Sequence, residues 1–377
     1  MQIHWETVLS LSMRHRVFPL IHQVLGRQSS LAVPDRVMEQ LNAARRDNVF
    51  RMMALTAELG RIVDLLQKAS IPVVALKGPV LSHLLYGDAA LRPAKDLDLL
   101  IAPDDLEKAN QVMLQTGYRL KKATNGLSIS QMKRYFFNTA HHLEYQATDK
   151  AVVIELHWRF HEHCYFDYNG SPFDRPRCQA TSIGSTSVCH PESVDNLLYL
   201  AFHGFVHGWF RLRWLMDFAL QLRSTRSDAW ERIVINAKQG DLFHLLLPGI
   251  LLAHCLLDIP LPASVECLLP TTGRRRTLKG ILKPSLLLIN GPETWGAGRA
   301  RMGKGFVIKK LNSFAFHRHF ISQMRYILNH FLPKPVDWDT LALPESLFFL
   351  YYFLRPALWC RRRLKPKTGN KHFPAIK

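Results

Sequence analysis

Residues 92–101 read Arg92-Pro93-Ala94-Lys95-Asp96-Leu97-Asp98-Leu99-Leu100-Ile101. From Asp96 to Ile101 the run has the length and apolar content of a strand, with two carboxylates at its start. Residues i and i+2 of a strand point to one face, about 6.5–7 Å apart. Asp96 and Asp98 therefore project side by side, while Leu97 and Leu99 take the other face. Two carboxylates sharing a site repel unless a cation sits between them. Magnesium takes oxygen ligands, keeps several waters, and binds through one or two carboxylates plus substrate phosphates. Asp96 and Asp98 are thus candidate ligands for Mg²⁺, with Mn²⁺ as an alternative. The plainer reading is a solvated turn entering a strand, since an Asp-x-Asp triplet alone is common.

Downstream, Val152-Val153-Ile154-Glu155-Leu156-His157-Trp158 alternates. Val153, Glu155 and His157 share one face, and Ile154, Leu156 and Trp158 share the other. An acid in an otherwise apolar strand is costly to bury unless it is paired or ligates a metal. Glu155 is the candidate third metal ligand; the alternative is a strand-end acid paired with a surface Lys or Arg.

Upstream, Ile71-Pro-Val-Val-Ala-Leu76 reads as a short strand closed by Lys77-Gly78-Pro79, with a short helix over Val80–Tyr86. Backbone N–H groups at a helix start favour phosphate. Lys77 supplies a point charge beside Gly78, and Pro79 suits the first helical position. There is no Gly-x-x-x-x-Gly-Lys-Ser/Thr, which excludes a Walker-type phosphate loop. Arg92 and Lys95 either contact a triphosphate or offset the charge of the aspartates.

Around this centre the pattern is helical. Val8–Leu25 and Pro34–Gln67 carry apolar residues at helical spacing. Segments near His141–Gln146 and Ala151–Trp158 read as a hairpin. A polar stretch at 161–192 reads as a linker or irregular segment. Helical segments are expected near 193–222, 227–258, 279–289, 317–330 and 343–357. The resulting division is an N-terminal helical segment (1–70), a catalytic core (71–160), that linker, a helical domain (193–365) and a basic flexible tail (366–377).

The chain has 377 residues, 47% of them hydrophobic, enough to bury a sizeable core. Its net charge of +19, from 49 basic and 30 acidic residues, favours anionic partners without saying which. The six cysteines include no Cys-x-x-Cys pair, so neither a disulfide framework nor a zinc knuckle is indicated. The first residues lack the layout of a signal peptide. The most apolar stretches, Leu245–Leu257 and Leu347–Leu354, are interrupted or too short to span a bilayer. A cytoplasmic protein with no integral membrane segment is expected.

The set Leu76-Lys77-Gly78, Tyr86-Gly87-Asp88, Arg92-x-x-x-Asp96-x-Asp98 and Glu155-Leu-His157-Trp158 resembles a family of bacterial nucleotidyltransferases. That family is similar to a distant branch of the DNA-polymerase-beta-type superfamily. The wider superfamily has Gly-Ser at the turn where Lys77-Gly78 stands here. The resemblance implies an α+β fold: a small mixed β-sheet nucleotidyltransferase core flanked by an N-terminal helical segment and a mainly helical C-terminal domain. It also implies Mg²⁺ and nucleotide phosphates on Asp96 and Asp98, with Glu155 nearest the acceptor hydroxyl. The donor is expected to be an NTP, ATP in the first instance. The acceptor is open: a small molecule, a peptide, a protein or RNA.

His203, His207, Arg211, Trp214 and Asp217 recur at spacings that lie along one stripe of an expected helix. Two readings stand side by side. The stripe lines the nucleotide cleft, with Arg211 on phosphate and Trp214 against a base, or it packs on the core with its histidines satisfied. No His-Glu-x-x-His supports zinc at this pair. His141, His142, His317 and His319 are expected to be structural or solvent-facing. The alternatives to nucleotidyl transfer are phosphoryl transfer on the same fold, a non-catalytic nucleic-acid-binding protein, or a scaffold.

Overall fold

The computed structural model describes residues 3–28, 30–120, 127–136, 139–149, 151–159, 177–239, 243–266, 274–291, 324, 327–328 and 331–364. The helix expected over 317–330 and the tail after Lys365 lie almost wholly outside these. The N-terminal lead-in is helical, as its periodicity predicts. The run over Val8–Leu25 is two helices, α1 (Trp5–His15) and α2 (Phe18–Leu25), because Arg16 ends α1 in the left-handed region at φ 56°. α3 (Asp35–Lys68) starts directly after Pro34 and buries Leu55, Leu59, Ile62 and Leu66 along one stripe.

Among the described residues seven strands follow: β1 (Val73–Ala75), β2 (Asp96–Ile101), β3 (Tyr118–Leu120), β4 (His142–Ala147), β5 (Val153–His157), β6 (Cys178–Ile183) and β7 (Thr186–Pro191). They form one mixed sheet in the order β3-β4-β5-β2-β1-β7-β6. β2 is parallel to β5 and antiparallel to β1, and β1 is parallel to β7. Interspersed are α4 (Pro79–Tyr86), α5 (Leu106–Gln115) and α6 (Ile129–Phe136).

The stretch 161–192, expected to be irregular, ends in the β6–β7 hairpin, which extends the sheet beyond β1. The reason it escaped the pattern is exposure. β6 is a sheet-edge strand that buries only Ile183, so it carries no apolar run. Gly184, at φ 61°, makes the turn into β7.

The pleat sorts the sheet residues. Leu97, Leu99 and Ile101 of β2, Leu143 and Tyr145 of β4, and Ile154 and Leu156 of β5 pack with α3, α5 and α6 in one core. Tyr351 and Leu358 of the helix Tyr351–Leu364 close that core. On the other face, Leu100 and Leu76 join a second core built from α7 (Ser193–Val206), α8 (Leu212–Ser224), α9 (Trp230–Gln239) and α10 (Phe243–Leu257).

The helix expected over 193–222 is also two helices. Gly208 and Trp209 have φ of 63° and 53°, which turns the chain between α7 and α8. Trp209 is fully buried, in a slot that only glycine allows. A Cβ on Gly204 would lie 2.2 Å from its ring, and one on Gly249 2.8 Å. The architecture is the expected α+β one: helical lead-in, mixed sheet, mainly helical C-terminal region. Among the described residues no helix is long and apolar enough to cross a membrane.

Candidate active site

The face of the sheet turned away from the α3 core carries the polar residues. Across the β2–β5 pair, Asp98 stands in register with Glu155, Asp96 with Val153, and Leu100 with His157. Across β4–β5, His142 stands opposite His157 and Glu144 opposite Glu155. Directly opposed residues of a sheet present side chains to the same face. Two acids of β2, an acid and a histidine of β5 and a histidine of β4 therefore form one polar patch.

A cavity of about 380 Å³ opens over this patch. Its floor holds Asp96, Asp98, Glu155 and His157. Lys77 and Gly78 enter from the turn after β1, and Arg92 and Ala94 from the loop before β2. Tyr199, His203 and His207 come from the α7 side, Arg213 and Trp214 from α8, and Arg16 from the break after α1. Gly78 caps α4 at φ 76° and ψ −143°, a conformation open to glycine, and Pro79 follows in the first turn.

The charges are tightly coupled. Lys77 Nζ lies 3.0 Å from Asp98 Oδ1, and His157 Nε2 lies 3.3 Å from both Asp98 Oδ1 and Glu155 Oε2. Burial alone would raise the Asp98 carboxyl, but Lys77 and His157 outweigh it and hold it far below the usual carboxylate range. Burial would likewise neutralise His157; its contacts with Asp98 and Glu155 instead raise it to about 9. Burial also works against the charge on Glu155, and His157 reverses that and keeps it low. Asp96 behaves oppositely. Burial, then Asp98 and Glu155, push it up to about 6. Asp96 is the acid of this patch that lacks a sufficient counter-charge.

Among the described residues, two groups of side chains offer convergent ligand atoms within 4.8 Å of one another: Asp98, Glu155 and His157, and His141, His142 and His157. Asp96 lines the same cavity but joins neither group.

The remaining expected residues divide. His203 and Trp214 line the cavity, their rings 5.2 Å apart, with His207 4.7 Å from Trp214. Burial, then Lys77, hold the His203 imidazole well below its ordinary range, so it is neutral. The single-helix stripe is corrected by the α7–α8 turn: these side chains meet through the corner rather than along one helix. Arg211 caps the start of α8, lies over the Phe210 ring and donates to the Arg14 carbonyl at 3.4 Å. It is not part of the cavity wall. Arg92 reaches the wall, but its Nε donates to Asp217 Oδ2 at 2.8 Å. Lys95 is exposed beside the cavity. Its ammonium is disfavoured first by Arg16 and then by burial, Arg211 and Arg51.

Sequence reading did not assign His157, His141, His142, Tyr199, Arg213 or Arg16 to the site. For His157 the signal was present, since it alternates onto the face of Glu155. His141 and His142 gave none, because only strand register brings them to His157.

The chain belongs to a family described as uncharacterised nucleotidyltransferase, whose model matches residues 1–258. The match runs from α1 through α10 and includes every residue of the cavity wall. It agrees with the expected likeness to a distant branch of the DNA-polymerase-beta-type superfamily. No curated protein and no solved structure matches the chain.

Proposed function

We propose that this protein is a Mg²⁺-dependent nucleotidyltransferase. It moves an NMP from an NTP, with ATP the expected donor, to a hydroxyl or phosphate of its acceptor and releases pyrophosphate. The observation that carries this reading is the register of Asp98 with Glu155 beside Asp96, facing one cavity. The donor set suits the ion. Asp98 and Glu155 offer convergent oxygens, and the raised Asp96 carboxyl marks negative charge that a divalent cation would neutralise. Asp96, Asp98 and Glu155 would hold Mg²⁺, which supplies charge neutralisation at the phosphates when bound.

The chain's own residues supply positioning. Lys77 holds Asp98 and brings a cation to the turn at Gly78. Lys95 and Arg16 present positive charge at the rim, suited to a triphosphate. His203 and Trp214 form an aromatic wall suited to a base. Arg92 and Arg211 are engaged by protein partners, so their role is to position the loop before β2 and the start of α8. The acceptor oxygen attacks the α-phosphorus, the bond to the β-phosphate oxygen breaks, and pyrophosphate leaves. Where the acceptor is a hydroxyl, Glu155, as the carboxylate nearest it, would receive its proton; an ionised phosphate acceptor brings none.

The test is calorimetric titration of ATP, GTP, CTP and UTP with and without Mg²⁺, on wild type and on Asp96→Ala/Asp98→Ala. At least one nucleotide is expected to bind only with Mg²⁺ and only to wild type. Equal binding by the double variant, or none by wild type, overturns the reading. Product analysis then identifies the bond broken: nucleoside diphosphate in place of pyrophosphate would transfer the assignment to phosphoryl transfer.

A further inference from the structure

We infer that His141, His142 and His157 bind one divalent transition-metal ion of the nitrogen-preferring Zn²⁺ or Co²⁺ kind. The three histidines include none of the carboxylates Asp96, Asp98 and Glu155, although His157 also converges with Asp98 and Glu155. One ring nitrogen of each histidine lies within 4.8 Å of the others. The ring centroids are 4.3 Å apart for His141 and His142, 5.0 Å for His142 and His157, and 5.6 Å for His141 and His157. The rings are tilted to one another by 74°, 35° and 47° respectively, so they are not a parallel stack.

The convergence is built into the sheet. His142 and His157 are directly opposed across β4–β5, and the Trp158 N–H donates to the His141 carbonyl at 3.1 Å, tying the residue before β4 to the end of β5. Nδ1 of His142 and Nδ1 of His157 are buried with no hydrogen-bond partner, and His157 is only 4% exposed. An unsatisfied buried polar atom costs about 1–3 kcal/mol, and a metal bond removes that cost; His157, which faces two carboxylates, releases one ring proton to solvent as the ion binds.

The choice of ion follows from the donors. Imidazole suits Zn²⁺ and its neighbours in the first transition row, whereas Mg²⁺ prefers carboxylate, carbonyl and water. Three histidines leave a fourth position for water or a substrate oxygen, as in catalytic zinc sites. Ligating histidines commonly give their second nitrogen to a carboxylate, and His157 Nε2 already lies 3.3 Å from Asp98 and Glu155. An ion held here would add positive charge beside Glu155, next to the carboxylate row. The inference does not require the nucleotide reading.

The test uses untagged full-length protein, stripped with a chelator and titrated with Co²⁺ without nucleotide. Wild type is expected to bind one Co²⁺ with visible absorption from a nitrogen-containing shell. The folded His141→Ala/His142→Ala variant is expected to bind at least tenfold more weakly, and Arg226→Ala, an exposed residue outside the cavity wall, to bind as wild type does. X-ray absorption on Zn²⁺-loaded wild type needs no variant and is expected to show at least two imidazoles. An oxygen-only shell, or a double-histidine variant that binds Co²⁺ as tightly as wild type, overturns the inference. Failure of Mg²⁺–nucleotide binding would leave this titration unchanged, so the two readings fail separately.

Discussion

Arg92 and Asp217 are 125 residues apart in the chain and meet at 2.8 Å, with side chains only 2% and 1% exposed. Asp217 also accepts a hydrogen bond from Tyr86 at 2.8 Å. The Arg213 guanidinium donates to the Pro93 carbonyl. These contacts clamp the loop that delivers Asp96 and Asp98 onto α8 of the helical half. The geometry of the carboxylate row therefore depends on Asp217 and Tyr86, which lie outside the cavity wall, as well as on Arg92 and Arg213, which line it.

Removing the Asp217 carboxylate leaves a buried guanidinium unpaired, a change that costs about 3–5 kcal/mol. Asp217→Asn is expected to lower stability by that order in urea titration. Arg92→Met/Asp217→Leu, which removes both charges, should recover part of the loss. A single variant as stable as wild type would show that the clamp contributes nothing.

Asp96 makes a prediction of opposite sign. An ordinary aspartate titrates near 3.9, whereas burial and the neighbouring acids raise Asp96 to about 6 in the folded protein. The folded state thus holds this proton more tightly than the unfolded chain. Its contribution to stability falls as pH rises from about 4 to about 6 and stays lowered above that range. In metal-free buffer Asp96→Asn should be more stable than wild type near pH 8, by about 2 kcal/mol after allowance for screening. The gain should vanish near pH 4. Added Mg²⁺ should stabilise wild type more than the variant. Thermal melts across pH check both signs.

Gly204→Ala tests packing at the α7–α8 corner. Three ring atoms of Trp209 would lie 2.2–2.4 Å from the new Cβ, and the ring is boxed in by Gly249 and Phe218. Overpacking of this kind costs about 3 kcal/mol. The melting temperature should fall sharply, and His203 and Trp214 should lose their register across the cavity. Partial rescue is expected from Trp209→Phe in the same chain.

Lys95 stands among cations that disfavour its own charge, Arg16 foremost. A polyanion would relieve that repulsion. Lys95→Ala is expected to weaken Mg²⁺–NTP binding about tenfold at low salt, with a shallower salt dependence than wild type. Arg211→Ala should change it less, because Arg211 is engaged with Phe210 and Arg14 outside the cavity wall. Calorimetry at two salt concentrations separates these outcomes.

The local elements were legible for a physical reason. Side-chain direction along a strand alternates by covalent geometry, so Asp96, Asp98 and Glu155 could be assigned faces before any partner strand was known. Lys77-Gly78-Pro79 marked the strand-to-helix turn in the same way. The β6–β7 hairpin was not legible, because an edge strand can stay polar. The helix break at Gly208 and Trp209 was hidden as well, because a slot formed by Gly204 and Gly249 determines it.

By itself, then, the sequence determined which residues share a face, where the acidic strand begins, and that an α+β core sits between helical segments. These are properties of alternation, helical period and turn chemistry, all set within a few residues. Only the tertiary structure decided that Asp98 stands beside Glu155 and that Lys77 and His157 neutralise Asp98 while Asp96 is left under-compensated. It alone decided that His142 faces His157 and that Arg92 spends its charge on Asp217. Each of these depends on strand register or on helix docking across more than ten residues of chain. There, the energy of packing and charge pairing selects the partner, and no local pattern encodes it.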